Sequence, residues 1–362
     1  MVVGALAYAI FQAGFLFLNE YFLYGSSALV GLGAAIIWCA QGKYLSLNSS
    51  AATAGKHSGI FFTIFQSCLI FGGIFLFLIF QYTDNKIELW TIRIIYGAFT
   101  VVTLVGILIF ALLPMPGSKC NIYATSFADV DNVNLSQVEI IKSTFALLVT
   151  KRMLIISVAF MHSGIVLSFW SGIYPTCISF TKKLGGSTTS LLAMNVFFEG
   201  LGQAIGGFIC GTLSTKFKLR REFLVLIGTI VQLGVFIGIF LNFPKEASLA
   251  KTDSVGLIEP SIHIALTCGF LIGLGDIFWR TQLYAFVISK YPTKPAEAFS
   301  IFMFFQSLLS SAAFFYGTTF NLYWLLAILT GGVITAFVCF IIAEKVQEPE
   351  LVPTRGDDMI ES

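Results

Sequence analysis

The stretch Gly273–Gln282 reads Gly-Leu-Gly-Asp-Ile-Phe-Trp-Arg-Thr-Gln, and it lies within an otherwise apolar run from about residue 262 to residue 287. Such a run can cross a bilayer, which takes about 20 helical residues. Asp276 and Arg280 therefore fall near the middle of a predicted membrane span, where each charge costs about 2.5 to 3.5 kcal/mol on insertion scales. Their spacing of four places them on one helix face, where they can pair. We expect both side chains to face protein, water or each other.

The composition of the whole chain is that of a membrane protein. Of 362 residues, 57% are hydrophobic and 11% are charged, whereas about a quarter of the residues in a soluble domain are charged. A net charge of +2 provides no basic face for nucleic acid. The seven cysteines form no CxxC pair and the three histidines are scattered, so neither a disulfide framework nor a metal site is indicated. We predict no enzyme activity and no cofactor.

Ten apolar runs of about bilayer length predict an all-α, polytopic bundle, because backbone exposed to lipid must satisfy its own hydrogen bonds. The loops on one side of the membrane carry fourteen Lys and Arg residues and those on the other side carry five. This bias places both termini in the cytoplasm. The predicted spans are residues 2–18, 24–41, 59–80, 90–113, 153–179, 188–213, 223–242, 262–287, 297–318 and 322–343.

A long connection divides the spans into two groups. Residues 1–113 hold four predicted helices, 114–152 form a cytoplasmic connecting loop, 153–343 hold six helices and 344–362 form a cytoplasmic tail. Within the connection, the capping box Ser136–Glu139 predicts the start of an amphipathic helix. That helix lies either along the inner membrane surface or against the bundle. Its apolar side is formed by Val138, Ile141, Phe145 and Leu148.

An internal repeat relates the two groups of spans. Trp38–Gln41 corresponds to Trp279–Gln282, each after a Gly-Leu-Gly, and Phe62–Ser67 corresponds to Phe302–Ser307. The two offsets differ by one residue, and they amount to a shift of six helices. An even shift preserves orientation, so the repeat predicts parallel six-helix halves, as in the major facilitator fold. The first half contains four predicted helices, and we expect its two remaining helices to be missing before Met1.

Motifs in both halves are similar to those of the Unc-ninety-three-like family of the major facilitator superfamily, closest to its facilitator-domain-containing branch. This resemblance implies a facilitator fold. It also implies relatives that include a regulatory subunit of a potassium channel, an escort of innate immune receptors and orphan transporters. The matching stretches are 38–42, 48–49, 58–61, 65–67, 171–174, 273–276 and 281–282.

Two positions depart from the expected family pattern. In the numbering of a twelve-helix facilitator, the ten predicted spans of this chain are helices 3 to 12. Thr215 stands where the facilitator signature after helix 8 would carry Asp, so the usual charge lock of the cytoplasmic gate lacks that residue. Arg280 stands where the resemblance implies a neutral polar residue.

The resemblance further implies that facilitator helices 4, 7 and 10 line a central cavity, with helices 5, 8 and 11 beside them. Mid-membrane polar residues of this chain concentrate on those helices, which predicts a hydrated interior. We take them as candidates for a substrate or coupling-ion pathway. The candidates are Gln41, Gln66, Glu199, Gln203, Asp276, Arg280, Gln282 and Gln306.

Each candidate also has a structural interpretation. Asp276 serves proton coupling or substrate contact, or forms a neutral pair with Arg280 that locks the bundle. Glu199 takes up a proton, or forms a salt bridge with Arg280. The glutamines are ligands, or they form hydrogen bonds between membrane helices. Gly172 and Pro175 mark either a gating bend or a static kink.

Two glycine pairs are assigned a structural role alone. Gly202 with Gly206, and Gly207 with Gly211, have the small-xxx-small spacing that allows close helix contact.

Two functions remain open at this stage. The first is a solute carrier that works by alternating access, with its site around Asp276 and Glu199. The second is a non-transporting subunit that regulates an ion channel or receptor, or directs its trafficking. The expected partners are the lipid bilayer and either a small solute or proton, or a channel or receptor subunit. Plasma membrane and endolysosomal membrane are both compatible with the sequence, and the substrate is undefined.

Overall fold

A computed structural model of the protein describes residues 1–83, 88–113, 137–185 and 187–347. These residues form eleven helices, which confirms the all-α prediction. The helices are α1 (Val2–Gly14), α2 (Glu20–Leu47), α3 (Ala54–Tyr82), α4 (Leu89–Leu112), α5 (Gln137–Leu148), α6 (Lys151–Phe180), α7 (Thr188–Lys216), α8 (Arg221–Asn242), α9 (Ile262–Lys290), α10 (Pro295–Gly317) and α11 (Leu322–Lys345).

Nine of these helices are long and apolar enough to cross a membrane, and the first predicted span is shorter than expected. Instead of continuing to residue 18, α1 ends at Gly14 after 13 residues. Leu18 then adopts a left-handed conformation, with φ 44°, which a helix cannot accommodate. The next helix begins directly afterwards, because the Asn19 side chain accepts a hydrogen bond from the Phe22 amide at 3.0 Å.

The amphipathic helix predicted in the connection is present as α5; Ser136 of its capping box lies outside the described residues. One side packs on α10, where Leu147 is buried and the Ser143 hydroxyl donates to Glu297 at 3.3 Å. Val138, Ile141 and Phe145 remain exposed on the other side. The helix therefore combines both interpretations: it contacts the bundle and presents an apolar face outward.

The helix packing repeats in the way the sequence repeat predicts. In the first helix group (α1–α4), α1 packs on α2 and α4. In the second helix group (α6–α11), α8 packs on α9 and α11 in the same manner. The second group also contains α6, which packs on α10 and α11, and α7, which packs on α9. A cleft of about 570 Å³ lies among α1, α2, α3 and α4.

Helix α6 contains the irregularity suggested by Gly172 and Pro175. Phe169–Ile173 forms a π-helical turn between two α-helical segments. Such wide turns occur mostly as single insertions in α-helices. Pro175 follows at the start of the second segment, where a missing backbone N–H is tolerated.

The two glycine pairs of α7 face different helices. A Cβ atom at either Gly202 or Gly206 would overlap α9. At Gly202 it would overlap the carbonyl oxygen of Phe270. A Cβ at Gly207 would instead lie 2.7 Å from the Thr63 hydroxyl of α3. The small-xxx-small prediction is therefore consistent with the structure, and α7 uses one pair within its own helix group and the other toward the first group.

The contact of α3 with α7 is the most extensive helix pair among the described residues. At one end, Gly59 lies against the backbones of Gly207 and Gly211. At the other end, a Cβ at Gly73 would lie 2.7 Å from the backbone nitrogen of Phe197. Glycine thus allows the two helix groups to meet backbone to backbone along most of a membrane span.

We predict that Gly73→Ala destabilises the protein, because the added methyl group overlaps the backbone of α7. Overpacking of this kind costs about 1–3 kcal/mol. The neighbouring Gly72→Ala is the matched control: a Cβ atom there would have no heavy atom within 4 Å, and alanine is the better helix former by about 1 kcal/mol. Thermal aggregation of purified protein in detergent should begin at a lower temperature for Gly73→Ala alone. Equal behaviour of the two variants would contradict a close α3–α7 contact.

Candidate functional site

Asp276 and Arg280 form an ion pair on α9, in the middle of the bundle. Arg280 Nη1 lies 3.6 Å from Asp276 Oδ2, and the side chains are 9% and 2% exposed respectively. The guanidinium carbon also lies 5.1 Å from the centre of the Phe62 ring on α3. Arg280 therefore neutralises an acid within its own helix and contacts the first helix group through a cation–π interaction.

Glu199 of α7 is a second buried acid, 3% exposed. Gln203, one turn further along, donates a hydrogen bond to it from Nε2 at 3.5 Å. The described residues show no ion pair between Glu199 and Arg280, because Arg280 is engaged by Asp276. The carboxyl groups of Glu199 and Asp276 lie near enough to interact electrostatically. The structure thus brings together two acids of which one has a cationic partner.

Asn195 extends this polar row, and the sequence interpretation missed it. Asn195, Glu199 and Gln203 are spaced by four residues, so they lie on one face of α7 toward α9. The Asn195 amide oxygen approaches Gly269, and the Glu199 backbone carbonyl approaches Gly273. Neither amide atom of the Asn195 side chain has a hydrogen-bond partner among the described residues. The four-residue spacing of polar side chains in an apolar span was the signal that could have found it.

Tyr284 organises a buried cluster of aromatic rings, which the sequence interpretation also missed. Its ring centre lies 4.9 Å from that of Phe62, 5.0 Å from Phe299 and 5.5 Å from Phe302. We call these four residues the aromatic cluster. It lies one helical turn from Arg280, toward the end of α9 that carries Lys290. Residues of α3, α9 and α10 thus meet in an apolar plug beside the charged pair.

Helices α2 and α10 approach each other at the same end of the bundle. The Phe299 ring packs against the backbone of Gly42, where any side chain would overlap it. One turn away, the Ser300 hydroxyl lies 3.6 Å from the Cys39 sulfur. We call this end, which also carries Lys43, Lys216 and Lys345, the basic end. Contacts between the two helix groups close it in this conformation.

This closed packing corrects the expectation of an open, hydrated interior around the acids. Asp276 and Arg280 are enclosed by protein, with Trp170 of α6 beside the Asp276 carboxyl group. Trp170 was not among the predicted residues. The physical reason is that large aromatic side chains fill the space between the helix groups on the side of the basic end.

The four remaining candidates are glutamines, and they are dispersed. Gln282 is buried and donates from Nε2 to the Thr281 hydroxyl at 3.3 Å. Gln66 on α3 and Gln306 on α10 are also buried. Gln41 lines the cleft among α1, α2, α3 and α4, and Asp276 is not among the residues of that cleft. That cleft is otherwise mainly apolar, with Trp38 of the same helix on its wall.

Thr215 lacks the charge expected in a facilitator signature, and its hydroxyl donates to the carbonyl of Gly211 in its own helix. Charge pairing persists nearby in a different form. Arg221 at the start of α8 forms an ion pair with Glu344 of α11, and Lys290 of α9 lies 3.4 Å from the same carboxylate. This network ties three helices of the second group together at the basic end. Among the described residues, no cluster of three or more His, Cys, Asp or Glu side chains could hold a metal ion.

Comparisons with known sequences agree with this architecture. The family described as "Ion channel regulatory protein UNC-93" matches residues 1–341. UNC93-like protein MFSD11 of Xenopus tropicalis is 35% identical over 341 residues, which covers 91% of this chain and 76% of the relative. Protein unc-93 homolog A of Homo sapiens is 22% identical and is matched over 96% of this chain and 79% of its own length.

Solved structures share the fold at low sequence identity. The major facilitator superfamily transporter FucP, in its outward conformation, superposes with a TM-score of 0.60 at 12% identity, covering 96% of this chain and 82% of that one. The proton:xylose symporter XylE, bound to 6-bromo-6-deoxy-D-glucose, gives 0.61 at 12% identity over 94% and 79%. The sequence relatives are named as UNC93-like or unc-93 proteins, and the two solved structures are those of major facilitator transporters. Our chain therefore belongs to the UNC-93 family and has the major facilitator fold.

Proposed function

We propose that this protein is a solute carrier that works by alternating access and couples transport to proton movement. The observation that carries the proposal is the pair of buried acids in the second helix group, Glu199 on α7 and Asp276 on α9. Arg280, the partner of Asp276, contacts Phe62 of the first group. Ionisable groups inside membrane spans are costly, and they commonly mark substrate or proton pathways.

The two acids have different roles in this proposal. Asp276 has a cationic partner in Arg280, 3.6 Å away. Glu199 has no cationic partner within 4 Å among the described residues and accepts a hydrogen bond from the neutral Gln203. A proton bound by Glu199 would remove an uncompensated buried charge, whereas its release would restore repulsion with Asp276. Glu199 is thus the proposed proton carrier and Asp276 the substrate-facing acid.

Alternating access requires a barrier that can open at the basic end. We assign this barrier to the aromatic cluster together with the contact of Phe299 and Gly42. Its members belong to α2 and α3 on one side and to α9 and α10 on the other. Separation of the two helix groups would pull these rings apart and expose Arg280 and Asp276 from that end. The remaining candidates, Gln66, Gln282 and Gln306, would border the path so opened.

The proposal includes an orientation and a class of membrane. Because the basic end carries most of the Lys and Arg residues, we place it and both chain termini in the cytoplasm. The membrane is the plasma membrane or an endolysosomal one. We propose residues 1–113 and 153–343 as the two moving halves, joined by 114–152 and followed by the tail 344–362. No enzymatic step is assigned to the chain.

A second candidate function is regulation of a membrane partner, such as a potassium channel or a receptor, without transport. The family description as an ion channel regulatory protein favours it. The enclosed state of Asp276 and Arg280 is also compatible with a static, structural ion pair. The two functions differ in one measurable property. A carrier would move protons across the membrane when its solute is present, whereas a regulatory subunit would not.

We predict that Glu199→Gln and Asp276→Asn abolish solute-dependent proton flux. The assay uses proteoliposomes with an entrapped pH-sensitive dye and a panel of pentoses, hexoses, amino acids and organic anions added one at a time. Asp253→Asn is the control, because it removes an acid that is 71% exposed and pairs with Lys182 outside the bundle core. Absence of flux from the wild type, together with co-purification of a channel, would favour the regulatory function.

A double substitution separates transport from stability. Asp276→Asn leaves Arg280 buried without a counter-ion, and breaking a buried pair in this way costs about 3–5 kcal/mol. Asp276→Asn with Arg280→Gln removes both charges and should recover the thermal stability lost by the single variant. Proton flux should stay absent in both variants. If flux returned with stability, the pair would serve only to hold the bundle together.

We predict that Gly42→Leu opens the basic end, because the new side chain displaces the Phe299 ring. Cys39 is half-buried beside Ser300, so separation of α2 from α10 should speed its alkylation by N-ethylmaleimide. Peptide mass spectrometry measures the rate, and the Cys39 rate of the unsubstituted protein is the reference. Gly31→Leu in the same helix is the control, since no heavy atom lies within 4 Å of a Cβ there. Equal Cys39 rates in both variants would argue against the assigned barrier.

A further inference from the structure

A groove runs along the outside of the bundle where α3 meets α7. We call it the α3–α7 groove; it encloses about 450 Å³. Gly207 and Gly211 lie at its floor, where their lack of side chains lets α3 and α7 touch. Ile64 and Phe208 form its walls and are 68% and 67% exposed, so the groove faces the lipid side of the bundle. Among the described residues, none covers this surface, so an acyl chain can reach it.

The end of the groove nearest the basic end is positively charged. Lys56 of α3 and Lys216 of α7 both line it, and both side chains are exposed. Neither lysine pairs with an acidic side chain of the described residues. The hydroxyls of Thr212 and Thr215, which also line the groove, are already occupied by backbone carbonyls of α7. The two ammonium groups are thus the donors left to bind a ligand.

We propose that the α3–α7 groove binds one anionic phospholipid from the bilayer leaflet at the basic end. The phosphate and acidic headgroup lie between Lys56 and Lys216, and an acyl chain lies along Ile64 and Phe208. Charge complementarity selects this occupant over a neutral lipid, since basic pockets between membrane helices bind anionic headgroups. The apolar walls make van der Waals contacts with the chain that do not distinguish one acyl chain from another, so selectivity rests on the headgroup.

The bound lipid would connect the two helix groups. Lys56 and Ile64 belong to the first group, whereas Lys216 and Phe208 belong to the second. One molecule in contact with both stabilises the arrangement in which α3 and α7 lie together. This site lies on the lipid-facing surface, apart from Glu199 and Asp276, so it does not depend on the protein being a carrier.

The test measures lipid retained by the purified full chain. Protein is extracted from nanodiscs of phosphatidylcholine mixed with phosphatidylserine, and bound lipid is identified by native mass spectrometry. The wild type should retain one phosphatidylserine in preference to phosphatidylcholine. The variant Lys56→Gln with Lys216→Gln should bind phosphatidylserine about 10- to 30-fold more weakly, because each lysine near an anionic surface contributes about 1 kcal/mol.

Two controls distinguish lipid binding in the groove from a general effect of lysine charge and from misfolding of the variants. Lys151→Gln with Lys345→Gln removes two exposed lysines at other helix ends outside the groove, and it should retain the lipid. Ile64→Trp fills the exposed groove and should reduce binding of both lipids, while its elution as a single species shows that it is folded. The proposal is overturned if the wild type retains both lipids equally, or if the two lysine pairs lose phosphatidylserine to the same extent.

Discussion

The architecture depends on the absence of side chains along both faces of α7. Gly202 and Gly206 let α9 approach on one face, and Gly207 and Gly211 let α3 approach on the other. In a membrane, helices gain little from burying apolar surface against each other, because lipid is equally apolar. The helix packing is stabilised instead by the many van der Waals interactions that close backbone contact allows. Helix α7 therefore makes the most extensive contact between the two helix groups, and it also packs closely on α9 within its own group.

The polar side chains of α7 occupy the space that this packing leaves. Asn195, Glu199 and Gln203 follow the same face as Gly202 and Gly206, opposite the glycines of α9. Close helices would normally exclude polar groups of this size, and the Gly269 and Gly273 positions of α9 provide the necessary room. An acid can thus be buried beside Asp276 without disturbing the α7–α9 contact, because glycines of α9 make room for the polar row of α7.

Much of the fold could be predicted from the sequence, and the reasons are local. The Asp276–Arg280 pair follows from a spacing of four within one helix, and the packing of α1 and α8 follows from the internal repeat. The contacts of Arg280 with Phe62 and of Tyr284 with Phe299 could not be predicted. They depend on the rotation of each helix about its axis, and that rotation is poorly encoded when lipid-facing and buried surfaces are both apolar. The cleft that Gln41 lines among α1, α2, α3 and α4 could not be predicted from the sequence for the same reason.

The π-helical turn Phe169–Ile173 has a consequence for the register of α6. A wide turn holds one residue more than an α-helical one, and one residue corresponds to a rotation of about 100° around the helix axis. The segment after the turn is rotated accordingly, and the Tyr174 hydroxyl donates to the carbonyl of Ala265 on α9 at 2.6 Å. The inserted residue thus determines which face of the segment Tyr174–Phe180 meets α9. Loss of one residue from the turn would rotate that segment relative to Lys151–Ser168 and move the Tyr174 hydroxyl away from Ala265.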